Sequence, residues 1–157
     1  MTLTAKDGTP FVAREMGVAD RPALEAMYLD FEPKRTAQGL PPEKPVAIEK
    51  WLDAVLPNGT HILVDIGGEV LGHMMLIPID RGRIELANFL HQSIRNRGIG
   101  TELNRLGVAL AKRDGYRAVW LCVEPSNRAA IRSYEKAGFL TVAGTMFLPE
   151  LEMEVIW

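Results

Sequence analysis

Arg95-Asn96-Arg97-Gly98-Ile99-Gly100 sets two glycines and two arginines directly before a helical pattern. A helix N-terminus presents unpaired backbone N–H groups and the positive end of the helix dipole, and both attract phosphate. Glycine lets the backbone approach phosphate oxygens that a side chain would hold off. Gly98 and Gly100 fit that use, with Arg95 and Arg97 adding charge beside them. The same glycines also fit a plain strand-to-helix turn, so the pair alone does not choose.

Nucleotide patterns fail here in detail. A dinucleotide fingerprint needs G-x-G-x-x-G, and its third glycine position is Leu103. A phosphate-binding P-loop needs a Gly-Lys pair, and the chain has none. His61 and His73 stand on a hairpin pattern without Asp or Glu at metal-ligand spacing, so no metal is expected. Cys122, the one cysteine, excludes an internal disulfide and sits in an apolar run, the setting of an inert thiol.

The whole chain narrows the classes further. Its 157 residues are expected to form a single domain with a sizeable core. A net charge of -2 speaks against a non-specific nucleic-acid binder. No apolar run approaches the ~20 residues that span a bilayer. MTLTAKDGTPF lacks the apolar centre of a signal peptide, so a cytoplasmic protein is expected.

Positioning these residues requires an α/β frame. Phe11 to Met16 reads as a first strand. A helix follows from Arg21 to Phe31, with Asp20 as N-cap and Leu24, Met27, Tyr28 and Phe31 at helical spacing. Pro33 to Pro45 reads as a loop, and Val46 to Leu56 as a second helix stopped by Pro57-Asn58-Gly59. HILVDIGGEVLGHMMLIPI is a hairpin turning at Gly67-Gly68, and IELANFLH a fourth strand. The glycine loop opens a helix to Asp114, AVWLCVE is a buried strand, and SNRAAIRSYEKAGF a last helix. TVAGTMF and ELEMEVIW supply the final strands. The order is β-α-α-β-β-β-α-β-α-β-β, with one βαβ crossover in the middle.

The spacing R-x-x-G-x-G, then helix, apolar strand and N-x-x-A-x-x-x-Y-x-x-x-G-F, falls on Arg95, Gly98, Gly100, Asn127, Ala130, Tyr134, Gly138 and Phe139. It resembles the GNAT (GCN5-related) N-acetyltransferase superfamily. FLHQSIRNRGIGTEL looks like that family's acyl-CoA motif and LCVEPSNRAAIRSYEKAGF like its second motif, so the close match runs from Leu86 to Phe139. The resemblance implies a mixed central sheet of about six to seven strands flanked by helices. It also implies acetyl-CoA as cosubstrate.

Carried over by residue, the pyrophosphate falls on the amides of Arg95, Asn96, Arg97, Gly98, Ile99 and Gly100, and the pantetheine on Asn88 and Leu90. Asn127 reaches the pantetheine arm, directly or through water. The strands before and after the crossover helix splay into a V-shaped slot. Tyr134 matches the tyrosine that protonates the departing thiolate, and the Leu90 N–H is the leading candidate to polarise the thioester carbonyl.

The general base is less defined. Histone-type relatives carry a fourth-strand glutamate; an ungapped count lands on Ile84, with Glu85 one residue away and on the opposite face unless a bulge intervenes. Ribosomal-protein acetyltransferases place a glutamate where this chain has Cys122. Glu85 is the named candidate, beside His91, Glu124 and a water chain.

Acceptor charge gives no sign, because Asp30, Glu32 and Glu43 alternate with Lys34, Arg35 and Lys44. The missing glutamate at 122 favours a small-molecule amine over a ribosomal protein. Trp51 stands where it can line the acceptor pocket. The rival reading is a non-catalytic acyl-CoA-binding sensor, which Tyr134 opposes. The family commonly dimerises, so a homodimer is possible, with ELEMEVIW as the pairing strand and its glutamate face turned to solvent.

Overall fold

The computed structural model describes residues 1–34, 41–146 and 148–157. Arg35 in the acceptor loop and Phe147 in the tail therefore lie outside the described residues. Eight strands form one sheet: β1 (Thr2–Thr4), β2 (Pro10–Glu15), β3 (Thr60–Ile66), β4 (Glu69–Pro78), β5 (Arg83–Leu90), β6 (Ala118–Val123), β7 (Leu140–Thr141) and β8 (Leu151–Ile156). Four helices flank it: α1 (Arg21–Leu29), α2 (Pro45–Val55), α3 (Ile99–Arg113) and α4 (Arg128–Lys136).

The sheet order is β1-β2-β3-β4-β5-β6-β8-β7. Every neighbouring pair is antiparallel except β5 with β6, the two strands joined through α3. This mixed sheet is the expected α/β architecture, with one strand more than the expected six to seven. The extra strand is β1, whose three residues are too few for an alternation to register. The TVAGTMF strand is also corrected: β7 covers only Leu140 and Thr141, before a turn at Gly144 with φ of 84°.

Strand alternation divides the core into two layers. Ile84 and Leu86 of β5, with Met74 and Leu76 of β4, face α3. Leu63, Met75 and Phe89 face Leu24, Met27 and Tyr28 of α1 and Ile48 and Leu52 of α2. Gly107 lets α3 lie close on the sheet: a Cβ there would stand 2.5 Å from Leu86 Cδ1. Burying each large side chain in these layers is worth roughly 1.5–3 kcal/mol.

Tail strand β8 lies between β6 and β7 rather than at the sheet edge. Its glutamates are half-buried, and Glu152 accepts a 2.8 Å hydrogen bond from Trp120 Nε1. The expected solvent-facing glutamate row is corrected accordingly.

Candidate active site

Parallel pairing between β5 and β6 covers Arg83–Ala118, Ile84–Val119 and Glu85–Trp120, and then ends. Beyond that point β5 keeps only β4 and β6 keeps only β8. The inner N–H and C=O groups of both strands thus face a widening gap, an open edge inside the sheet. A groove of about 720 Å³ occupies it, lined by Asn88, Phe89 and Leu90 on one side and Cys122, Val123 and Glu124 on the other.

The glycine loop closes one end of this groove. Asn96 and Gly98 both take left-handed conformations, with φ of 63° and 76°, and Gly98 is the N-cap of α3. Asparagine and glycine are the residues that adopt this region at least cost. Left-handed residues alternating in a loop can turn successive N–H groups to one side, the kind of concavity that binds an anion. Asn96, Gly98 and Gly100 line the groove.

The protein's own packing demands glycine at 98 but not at 100. A Cβ at Gly100 would meet Leu90 Cδ1 and Ser133 Oγ at 3.5 Å, ordinary contact, while φ at Gly98 excludes a relaxed side chain. The loop therefore fits a pyrophosphate, and three exposed cations from elsewhere in the chain (Lys6, Arg132 and Lys136) line the same groove. Lys6 was not foreseen. Its N–H donates to the Arg97 carbonyl at 2.8 Å, and its stem lies against Gly98.

Other loop residues take different places. Ile99 is buried in the core, so only its backbone can serve a ligand. Arg97 turns away from the groove toward Asp7, 3.5 Å off. Arg95 lines the groove, donates from Nε to the Leu90 carbonyl at 3.0 Å, and stacks 5.0 Å above the Phe31 ring. Burial pulls its pKa below the ordinary arginine value.

Under the groove lies a polar network. Asn88 Nδ2 donates to Asn104 Oδ1, Asn104 Nδ2 donates to Ser133 Oγ at 3.1 Å, and Thr101 Oγ1 is 3.1 Å from the same oxygen. It ties β5, α3 and α4 together beside the slot. A legible trace of it existed: Asn104 interrupts the buried face of α3 and is only 1% exposed. Asn127 caps α4 with Oδ1 on the Ala130 N–H at 3.3 Å, leaving its amide nitrogen toward the groove it lines.

Tyr134 lines the slot from α4. Its ring is buried beside Phe139, with centroids 5.8 Å apart. Burial pushes the phenol up to about 12, so it stays protonated near neutrality. Among the described residues its hydroxyl has no hydrogen-bond partner, yet it is not fully enclosed. It is a donor free for a ligand.

Glu85 stands where the strands part. The β4–β5 register runs unbroken from Ile84 to Leu90, so no bulge intervenes. Ile84 points into the α3 core, while Glu85 is half-buried on the other face. Desolvation first, and Glu150 second, raise its pKa. On neighbouring β6, burial pushes the Cys122 thiol up to about 12, helped by Glu150, Glu152 and Glu85. Cys122 is therefore a poor nucleophile. Where no carboxylate stands at 122, Glu85 of β5, Glu152 of β8 and Glu150 just before β8 come near the thiol, a convergence that spacing could not reveal.

Of the alternatives, Glu124 lines the groove. His91 is buried, not a free strand end: Nε2 is 2.8 Å from Asp30 Oδ2 and Nδ1 accepts from Ser93. Trp51 is half-buried and meets Phe89 edge-on at 5.6 Å.

Residues 23–139 match the model of the Acetyltransferase (GNAT) family. The chain belongs to that family. It is 32% identical to an L-methionine sulfoximine/L-methionine sulfone acetyltransferase of Pseudomonas paraeruginosa over 85% of this chain and 81% of the relative. A protein of the same name from Pseudomonas aeruginosa is 31% identical over the same shares. Among solved structures, the GNAT domain of S. lividans PAT superposes with a TM-score of 0.83 at 19% identity, covering 100% of this chain and 96% of that one. A putative acetyltransferase from Salmonella typhimurium, solved with acetyl-CoA, gives 0.73 at 20% identity over 93% of each chain. This GNAT protein is thus an acetyltransferase, which sets aside the sensor reading. Among its described residues no helix is long and apolar enough to cross a membrane.

Proposed function

We propose that this acetyltransferase moves an acetyl group from acetyl-CoA directly to the amine of a small amino-acid-like acceptor, within a ternary complex. Methionine sulfone and methionine sulfoximine are the acceptor class favoured, because relatives 31% and 32% identical and aligned over 85% of this chain bear those names. The observation that carries the reading is the parting of β5 from β6 beyond Glu85–Trp120, with the α3 cradle at one end and a free, protonated Tyr134 hydroxyl beside it.

Each residue then has a task. The amides of Asn96 to Gly100 hold the pyrophosphate, and Lys6 adds charge over it. The opened edge of β5 from Asn88 to Leu90 pairs with the pantetheine, placing the Leu90 N–H by the thioester carbonyl. Acetyl-CoA supplies the activated acyl group; a C–N bond forms and the C–S bond breaks. Tyr134 gives its proton to the departing sulfur and regains one, through water, from the nitrogen, which sheds its second proton as the amide forms. Glu85, at the last β5–β6 pair and outside the groove lining, takes the first proton of the incoming ammonium through water. General acid and base roles of this kind each contribute roughly 10²–10⁴-fold.

Initial-rate kinetics with L-methionine sulfone test the proposal. Turnover read by free-thiol release, with intersecting double-reciprocal lines, supports direct transfer. Parallel lines would point instead to an acyl-enzyme and overturn the ternary mechanism.

A further inference from the structure

Tyr28, His73 and His61 form a buried chain that none of the catalytic steps above uses. Tyr28 Oη lies 2.6 Å from His73 Nδ1, and His73 Nε2 lies 2.9 Å from His61 Nδ1. His61 Nε2 is 2.7 Å from the Asn58 carbonyl and 3.1 Å from that of Val55, at the end of α2. Tyr28 and His73 are wholly buried.

The hydrogens can be placed by elimination. A carbonyl only accepts, so His61 Nε2 carries its proton. Burial pulls His73 down to about 3, so its ring carries a single proton. With one proton on each ring, His61 Nδ1 accepts from His73 Nε2–H, and His73 Nδ1 accepts from the Tyr28 hydroxyl. Every bond points the same way, from α1 through β4 and β3 to the C-terminus of α2.

What this chain holds is an aromatic wall. Tyr28 meets Trp51 edge-on at 5.1 Å and Phe89 at 5.8 Å, and Phe31 stands 6.3 Å from Phe89. Phe89 is also the register partner of His73 across β4 and β5. Phe31 and Phe89 line the groove at the side where α1 and α2 cover the sheet.

We propose that the Tyr28–His73–His61 chain is a positioning device for acceptor binding: it fixes the Tyr28 ring, and with it Phe89 and Trp51, without touching the reacting atoms. The proposal rests on taking the α1–α2 side of the groove as the acceptor side. The chain lies on the face opposite the polar network around Asn104, so it acts on one substrate and not the other.

Three variants read this directly. Tyr28→Phe removes the first bond, and His73→Gln retains only the donor toward His61. His73→Asn keeps an acceptor for Tyr28. Loss of a buried hydrogen bond predicts an acceptor KM raised about three- to tenfold for Tyr28→Phe and His73→Gln, with acetyl-CoA KM unchanged. His73→Asn should recover most of the acceptor KM.

An unchanged acceptor KM in folded Tyr28→Phe, or both KM values rising together, overturns the proposal. Wild-type enzyme that turns over no L-methionine sulfone counts against the acceptor reading alone. Nitrogen NMR of the wild-type protein then decides the chain: both imidazoles must be neutral Nε2–H tautomers at neutral pH, and any other state overturns it.

Discussion

The two faces of the sheet handle polarity in opposite ways. On the α3–α4 face, Asn88, Asn104, Ser133 and Thr101 bring a hydrogen-bond network up to the groove, beside the loop from Asn96 to Gly100. On the α1–α2 face, Tyr28, His73 and His61 spend their hydrogen bonds on one another and on two carbonyls, and of that face's aromatic rings only Phe31 and Phe89 reach the groove. The first face suits a charged ligand gripped through backbone donors. The second selects by shape, since aromatic walls discriminate chiefly through packing. A family can therefore keep its cosubstrate and change its acceptor by altering one face alone.

The sharpest test of that division is Tyr134, to which the proposed mechanism gives a part in the chemistry and none in binding. Tyr134→Phe should lower kcat by about a hundredfold or more while both KM values stay near wild type. Thermal stability should hold, because its hydroxyl has no protein partner to lose among the described residues. Rate loss accompanied by a large rise in acetyl-CoA KM would make it a binding residue instead.

Glu85→Gln comes next, with kcat/KM reduced by about tenfold or more. A base works only when ionised, so wild-type activity should fall as pH drops through the raised pKa of Glu85, and the variant should lose that limb. Stability moves the other way. A carboxyl whose pKa is raised on folding binds its proton more tightly in the native state, so its contribution declines as pH rises through that range. Glutamine escapes this cost, and the variant should melt no lower than wild type at neutral pH. A retained acid limb would hand the role to Glu150 or to water.

The two faces also differed in how far they could be read from the chain. The side proposed for acetyl-CoA is local: Arg95 to Gly100 and Asn127 to Phe139 are contiguous runs, and alternation and helical spacing placed β5, α3, β6 and α4 around them. The side proposed for the acceptor is assembled across the sequence. His61 and His73 look like isolated histidines on a hairpin until the β3–β4 register sets them diagonally adjacent. Glu85, Cys122 and Glu150 come from three separate segments and meet only because β6 lies beside both β5 and β8. Lys6 reaches the groove because β1, too short to show a period, turns back along β2. Spacing reports what a single element does; it is silent on what neighbouring elements bring together.

Within the cradle, the two glycines should separate stability from affinity. Gly98→Ala forces alanine to φ of 76° and should cost about 1–2 kcal/mol of folding stability. Gly100→Ala meets only ordinary contacts and should melt like wild type, yet bind acetyl-CoA more weakly because its methyl intrudes on the groove. Calorimetric melting with and without acetyl-CoA measures both. Equal behaviour in the two variants would reduce the loop to a turn.

Lys6 is expected to give the smallest effect and the finest distinction. Its exposed ammonium can only assist through screened charge, worth up to about 1 kcal/mol, whereas its stem packs over Gly98. Lys6→Met retains most of that stem and removes the charge. Acetyl-CoA should bind about two- to fivefold more weakly to this variant at low salt, and the gap should close at high salt, where exposed charges are screened within a few ångströms. Titration calorimetry at the two ionic strengths reads it. A loss that persists at high salt would mean that Lys6 shapes the loop rather than attracts the phosphate, since packing is indifferent to salt and an exposed charge is not.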